Sequence, residues 1–165
     1  MARSSLTVEE ILSLLNEAPP RIAAHVEGLD STQLHTPPQP DEWSINDILA
    51  HLRSCADVWG DCISQIITED RPTIRAVNPR TWITKTDYLV QEFQPSFQAF
   101  TTQRGKLVKV LESLPQADWS RAATVTGAGK PLEKTVYSYA ERLVVHERSH
   151  INQIRRVAKA MLTQQ

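Results

Sequence analysis

TVYSYAERLVVHERSHINQIRRVAKAML, residues 135–162, reads as one long amphipathic helix, and that reading decides the fold. Val136, Tyr139, Ala140, Leu143, His146, His150, Ile151, Ile154, Val157 and Met161 recur at the three- and four-residue spacing of a single helix face. Two histidines lie on that apolar stripe, four residues apart. At this spacing two side chains stand ~40° apart around the axis and about 6 Å apart along it, so both can grip one metal ion. An imidazole pair leaves a divalent ion short of ligands, and a third donor must come from elsewhere.

Three further helices accompany this one. The first opens at Thr7 with Glu10 three residues on, a capping-box spacing, and turns Ile11, Leu14, Leu15, Ala18, Ile22, Val26 and Leu29 inward. Pro19-Pro20 falls inside it and predicts a kink or break. A stiff Pro-rich linker, Thr36 to Pro40, leads to the second helix, which starts at Ser44 with Asp47 in its first turn. Its stripe is Ile45, Ile48, Leu49, Leu52, Cys55, Trp59, Cys62, Ile63 and Ile66. Residues 69–85 read as a loop. The third helix is expected from Asp87 to Leu114, with Leu89, Phe93, Phe97, Phe100, Leu107, Val108 and Leu111 inward and a kink at Pro95. Between Pro115 and Pro131 a short hairpin is expected around Ala123 to Val125; no other strand pattern stands out. The fold class is therefore all-α, a four-helix bundle forming a single domain over residues 1–165.

His51 lies on the margin of the second stripe. Three neutral imidazoles, His51, His146 and His150, converging from two helices would make an open metal site, suited to chemistry. His25 and His35 sit in more polar settings and are expected to be solvated or locally bonded. Cys55, one turn after His51, could reach the same ion, and a site of three histidines and one cysteine would be closed and therefore structural; cysteine on such a stripe more commonly packs as a small apolar residue. Asp47 could orient His51 or serve only the helix N-terminus. Trp59, two turns from His51, is placed to wall the pocket. Arg155, Arg156 and Lys159 complement the helix dipole, or bind an anionic substrate or a thiol carboxylate.

His146 to His150 also matches H-E-x-x-H, the zinc-protease signature. The fifteen residues that follow, Ile151 to Gln165, contain no Asp, Glu, His or Cys to act as a downstream third ligand, which argues against a protease. Glu147 projects ~100° away from His146. It is free to orient a ligand, to act as base toward a bound water, or to pair with Arg142, Arg148 or a neighbouring subunit.

Composition narrows the classes. The 165 residues are 41% hydrophobic and 22% charged, with a formal net charge of −1. That balance gives no polybasic surface for nucleic acid or anionic lipid, and no apolar run is long enough to span a membrane. Leu6 to Leu15 is interrupted by Glu9 and Glu10, unlike a secretory signal. Cys55 and Cys62, seven apart on one helix, are too distant to bridge and read as reduced thiols of a cytoplasmic protein.

Glu42-Trp43-Ser44-Ile45 followed by His51-Leu52, Leu114-Pro115 with Trp119-Ser120-Arg121, and His146-Glu147 with His150-Ile151-Asn152-Gln153-Ile154 together resemble the DinB-like superfamily, over about Leu6 to Met161. The resemblance implies an up-down-down-up bundle, a homodimer, and a divalent metal, zinc or nickel, held by His51, His146 and His150. That core is similar to those of transferases that use mycothiol, bacillithiol or glutathione, including maleylpyruvate isomerase. The expected function is thus metal-dependent S-transfer from a low-molecular-weight thiol to a small-molecule substrate. A metal-dependent hydrolase, a non-catalytic, stress-related metal-binding protein and a purely structural bundle with packed histidines are the alternatives.

Overall fold

A computed structural model describes residues 5–163; residues 1–4, at the start of the leader read against a secretory signal, and residues 164–165 lie outside it. The element order is α1 (Val8–Val26), α2 (Ser31–His35), α3 (Ile45–Thr68), β1 (Thr73–Arg75), α4 (Pro79–Trp82), α5 (Phe93–Glu112), β2 (Ala122–Thr126), β3 (Leu132–Thr135) and α6 (Val136–Thr163). The four long helices, α1, α3, α5 and α6, form the bundle. No helix among the described residues is long and apolar enough to cross a membrane.

Two apolar clusters reveal the helix directions. One gathers Ile11 and Leu15, Cys55 to Ile66, Val108 and Leu111, and Val136 to Val144. The other gathers Ala18 to Val26, Ile45 to Leu52, Phe93 and Phe100, and Ile151 to Met161. Helices α1 and α6 therefore run from the first cluster to the second, and α3 and α5 run back. The order is up-down-down-up. Between the clusters lies a layer of polar groups: Arg104 and Glu147 on one side, His51, His146 and His150 on the other.

Local chemistry sets the helix starts. Thr7 and Glu10 form the expected capping box, with reciprocal bonds of 3.1 and 3.2 Å. Ser44 and Asp47 form another, at 3.1 and 3.0 Å, so Asp47 serves the N-terminus of α3. A third box, Asp30 with Gln33, starts the short α2, which the sequence reading missed.

The predicted break at Pro19-Pro20 is absent; α1 is a single helix through both prolines. Proline removes the N–H that would bond the carbonyl four residues back. For Pro19 that carbonyl belongs to Leu15, and Arg104 Nη1 donates to it instead, at 3.1 Å. The carbonyl released by Pro20 belongs to Asn16, which is exposed to water. The third bundle helix also departs from expectation. It begins at Phe93, after a 3₁₀ turn over Tyr88–Val90, and Leu89 is 48% exposed rather than inward. Pro95 is the third residue of α5, in the first turn where N–H groups have no intrahelical partner, so it starts the helix and does not kink it.

The hairpin around Ala123 to Val125 is present as β2 and β3, paired antiparallel with Ala123 opposite Lys134. A third strand was not foreseen. β1 pairs in parallel with β2, Ile74 opposite Val125, inside the segment read as loop. Three residues are too few for an alternation to register, and their partners lie some fifty positions away.

The connection from α4 to α5 is stapled to the bundle. The Asp57 carboxylate accepts from Trp82 Nε1 (3.1 Å), Tyr88 Oη (2.6 Å) and Gln103 Nε2 (2.7 Å). Arg53 stacks on the Tyr88 ring at 3.7 Å and donates to Gln91 Oε1 and Ser96 Oγ. Ser54 Oγ donates to the Pro79 carbonyl at 2.7 Å, which fixes the start of α4 beside α3.

The buried Arg104–Glu147 pair yields the first prediction. Glu147→Leu or Arg104→Met alone leaves one buried charge without its partner and should destabilise the protein by about 3–5 kcal/mol. The double variant should recover much of that loss. Urea unfolding of all four proteins in a double-mutant cycle measures it; singles within 1 kcal/mol (roughly the range of an exposed pair) would show that the pair contributes nothing special.

Candidate metal centre

His51 comes from the second turn of α3 and His146 and His150 from the middle of α6. The structure brings the three rings together, with centroids 5.0 Å (51–146), 4.4 Å (146–150) and 4.8 Å (51–150) apart. The Nε2 atoms of His51 and His146 are 3.2 Å apart, and those of His146 and His150 are 3.1 Å apart. His25 and His35 are elsewhere; His35 lies 3.5 Å from Glu92.

These contacts fit a cation better than they fit hydrogen bonds. An imidazole Nε2 offers in its plane one N–H or one lone pair. His146 Nε2 faces two other ring nitrogens at once, and its Nδ1 is buried with no hydrogen-bond partner among the described residues. Nitrogen donors on one tetrahedral zinc, with bonds of about 2.0–2.1 Å, stand about 3.3 Å apart. The observed separations are close to that value, and an ion among the rings would use all the lone pairs.

Electrostatics favours the ligand form. Burial, followed by the electrostatic effect of His150 and of Arg80, lowers the His51 pKa to about 4. Burial, followed by His150, His51, Arg142 and Arg80, lowers that of His146 to about 4 as well. Both rings are thus neutral at physiological pH. His150 Nδ1 lies 2.8 Å from Gln153 Oε1. A carbonyl oxygen accepts, so Nδ1 carries the proton and Nε2 keeps its lone pair for a metal.

Trp59 packs edge-on against His146 at 5.1 Å and walls the site, as expected. Trp43 stacks over His150 at 6.2 Å and tilts against His51 at 5.2 Å. Cys55 Sγ lies 3.6 Å from His51 Nε2, and burial, followed by the Glu147 charge, raises its pKa to about 12. Among the described residues, the donor atoms of His51, Cys55 and His146 all lie within 4.8 Å of one another.

Glu147 faces away from the histidines. Its Oε1 accepts from Arg104 Nη1 at 2.8 Å and its Oε2 from Arg104 Nη2, and the residue is 2% exposed. None of the partners considered from the sequence (Arg142, Arg148 or another subunit) takes that place. A carboxylate engaged by a buried guanidinium on the far side of the helix cannot act as the base of an H-E-x-x-H protease.

A cavity of about 500 Å³ opens onto His150, lined among others by Trp43, Arg80, Gln153, Arg156 and Val157. Arg80 and Gln153 were not singled out as site residues in the sequence. Gln153 had a local signal, three residues after a histidine and so on the same helix face. Arg80 had none, because it reaches the site through the staples that hold the connection to α3. Arg156, from the basic cluster, also lines this cavity.

The family model of the DinB superfamily matches residues 14–154. The chain belongs to the DinB superfamily. It is 25% identical over 158 residues to a protein of Geobacillus thermodenitrificans named "Putative metal-dependent hydrolase", spanning 92% of this chain and 84% of that one. A protein of Bacillus licheniformis with a name of the same kind is 26% identical over 155 residues, spanning 93% and 86%. Among solved structures, YfiT from Bacillus subtilis, described as "a probable metal-dependent hydrolase with an unusual four-helix bundle topology", superposes with a TM-score of 0.80. It is 21% identical, covering 98% of this chain and 93% of its own, and that likeness shows the shared fold.

Two predictions follow from the electrostatics and the orientation of the rings. Because the folded-state pKa values of His51 and His146 lie below that of a free histidine, the unfolded chain takes up protons first as pH falls. Stability of the metal-free protein should be full above pH ~6.5 and fall progressively toward pH ~4. Melting temperatures between pH 7.5 and 4.5 check this, and a His51→Gln/His146→Gln variant should show a flatter profile. Gln153→Leu should lower metal affinity about 10- to 100-fold with the fold intact, by releasing the His150 tautomer; unchanged affinity in a competition titration would remove Gln153 from the site.

Proposed function

We propose that this chain is a divalent-metal-dependent enzyme in which His51, His146 and His150 hold zinc or nickel, and that its reaction is transfer of a low-molecular-weight thiol to an electrophilic small molecule. One observation carries the reading: neutral ring nitrogens converge beside a cavity whose wall presents two guanidinium groups, Arg80 and Arg156, with the carboxylates of Asp41 and Glu42 on the same lining. Neither arginine forms a salt bridge among the described residues. Guanidinium groups pair well with carboxylates, and small cellular thiols commonly carry carboxylates.

A divalent ion, when bound, supplies Lewis acidity that makes a thiol or a water nucleophilic near neutral pH. The protein does the rest. Gln153 holds His150 in the tautomer that presents Nε2. Trp43 and Trp59 exclude water from the rings and fix their planes. Arg80 and Arg156 orient an anionic group at the cavity wall, which brings the thiol sulfur toward the histidines. The thiol gives up its proton to solvent water, its sulfur bonds to the electrophilic carbon, and the leaving group departs with the electron pair of the bond it breaks.

Hydrolysis is the second reading, and the names of the Geobacillus and Bacillus relatives favour it. In that case water takes the place of the thiol in the same cavity.

Elemental analysis of untagged protein, beside His51→Ala, tests the metal centre. About one ion per chain in the parent and little in the variant is expected. Metal-loaded protein is then assayed for thiol consumption with an alkylating electrophile and for ester hydrolysis. Metal-dependent thiol consumption supports transfer, and metal-dependent hydrolysis alone supports the second reading. A full complement of metal with neither reaction would make this a non-catalytic binding protein.

A further inference from the structure

We propose that Cys55 is a fourth donor to the metal of this centre, so that the ion is held by two facing pairs, His51/Cys55 on α3 and His146/His150 on α6. The inference rests on the metal-centre reading above and adds a sulfur ligand to it. Each pair has i, i+4 spacing, which places two side chains on one helix face within reach of one ion. Helices α3 and α6 run antiparallel, and their pairs meet in the polar layer between the two apolar clusters.

The distances bring Cys55 within donor range of the two inner histidines: the donor atoms of His51, Cys55 and His146 all lie within 4.8 Å of one another, and His150 joins them through His146, at 3.1 Å. An ion with bonds of about 2.05 Å to nitrogen and about 2.3 Å to sulfur holds them roughly 3.5 Å apart in tetrahedral geometry. Cys55 Sγ lies 3.6 Å from His51 Nε2. His51 Nε2 thereby meets a second polar neighbour besides His146 Nε2, and it has the same single in-plane valence. The two inner nitrogens are each asked for two contacts that hydrogen bonding cannot supply together. A cation among the four donors removes both conflicts.

The donors also divide by position. Cys55 is 1% exposed and closes the interior side, whereas His150 lines the cavity. Substrate therefore approaches past His150. Four protein donors would complete a tetrahedral ion, so a substrate thiol would have to enter as a fifth ligand on the His150 side.

Cobalt(II) added to the metal-free full chain provides the test. Visible d–d bands should appear together with an intense near-ultraviolet thiolate-to-cobalt charge-transfer band. The charge-transfer band should be lost in Cys55→Ala and kept in Cys62→Ser, since Cys62 lies about 10 Å further along α3. Visible bands without charge transfer in the parent protein would overturn Cys55 as a ligand and leave the three-histidine site standing. No visible bands at all would overturn the metal centre itself, and the role of Cys55 with it. X-ray absorption of the zinc-loaded parent needs no variant: one sulfur at about 2.3 Å is expected, and a shell of nitrogen and oxygen alone overturns the inference.

Discussion

The ion pair between Arg104 and Glu147 sits where α1, α5 and α6 meet, and the polar layer of the bundle is organised around it. Arg104 is 3% and Glu147 2% exposed, and the guanidinium also takes the Leu15 carbonyl that Pro19 leaves without a donor. Three helices are thus tied at one point. Desolvating two charges offsets most of their attraction, so such a pair adds little net stability over an apolar substitute. What it supplies is register. Only one rotation of α6 about its axis satisfies Glu147, and that rotation turns His146 and His150 toward α3.

The polar layer divides the core. Apolar clusters above and below it exclude water, and the dry surroundings keep His51 and His146 neutral as well as packed. The same burial that makes the imidazoles poor bases makes their lone pairs available to a cation. Trp59 packs against His146 from within, and Trp43 extends the effect to the cavity side, where His150 and Gln153 form the boundary with solvent. Fold and site therefore share one requirement, four helices packed at fixed rotation.

The connections decide what the cavity is like. A bundle with short loops would leave the ends of α3 and α6 open. Here Asp57 gathers Trp82, Tyr88 and Gln103, and Ser54 holds Pro79, so that Arg80 is carried to the rim of the cavity. The three-stranded sheet braces the opposite end of α6, with Ile74 and Val125 packed into the core.

Periodicity was enough to place the bundle helices, because an apolar stripe is a local property that each helix must show for itself. The capping boxes at Thr7 and Ser44, the hairpin at Ala123 and the two histidines one turn apart were legible for the same reason. His51 could be nominated from its place on a stripe. The continuity of α1 through its prolines was not legible, since it depends on Arg104, some ninety residues away. Neither was the partner of Glu147, the strand at Thr73, or the arrival of Arg80 at the cavity. Local pattern was sufficient to specify which faces are buried and which side chains can act as donors. Which buried charges meet was settled in the packed bundle, because pairing across helices depends on their rotation and registry, and no local pattern encodes those.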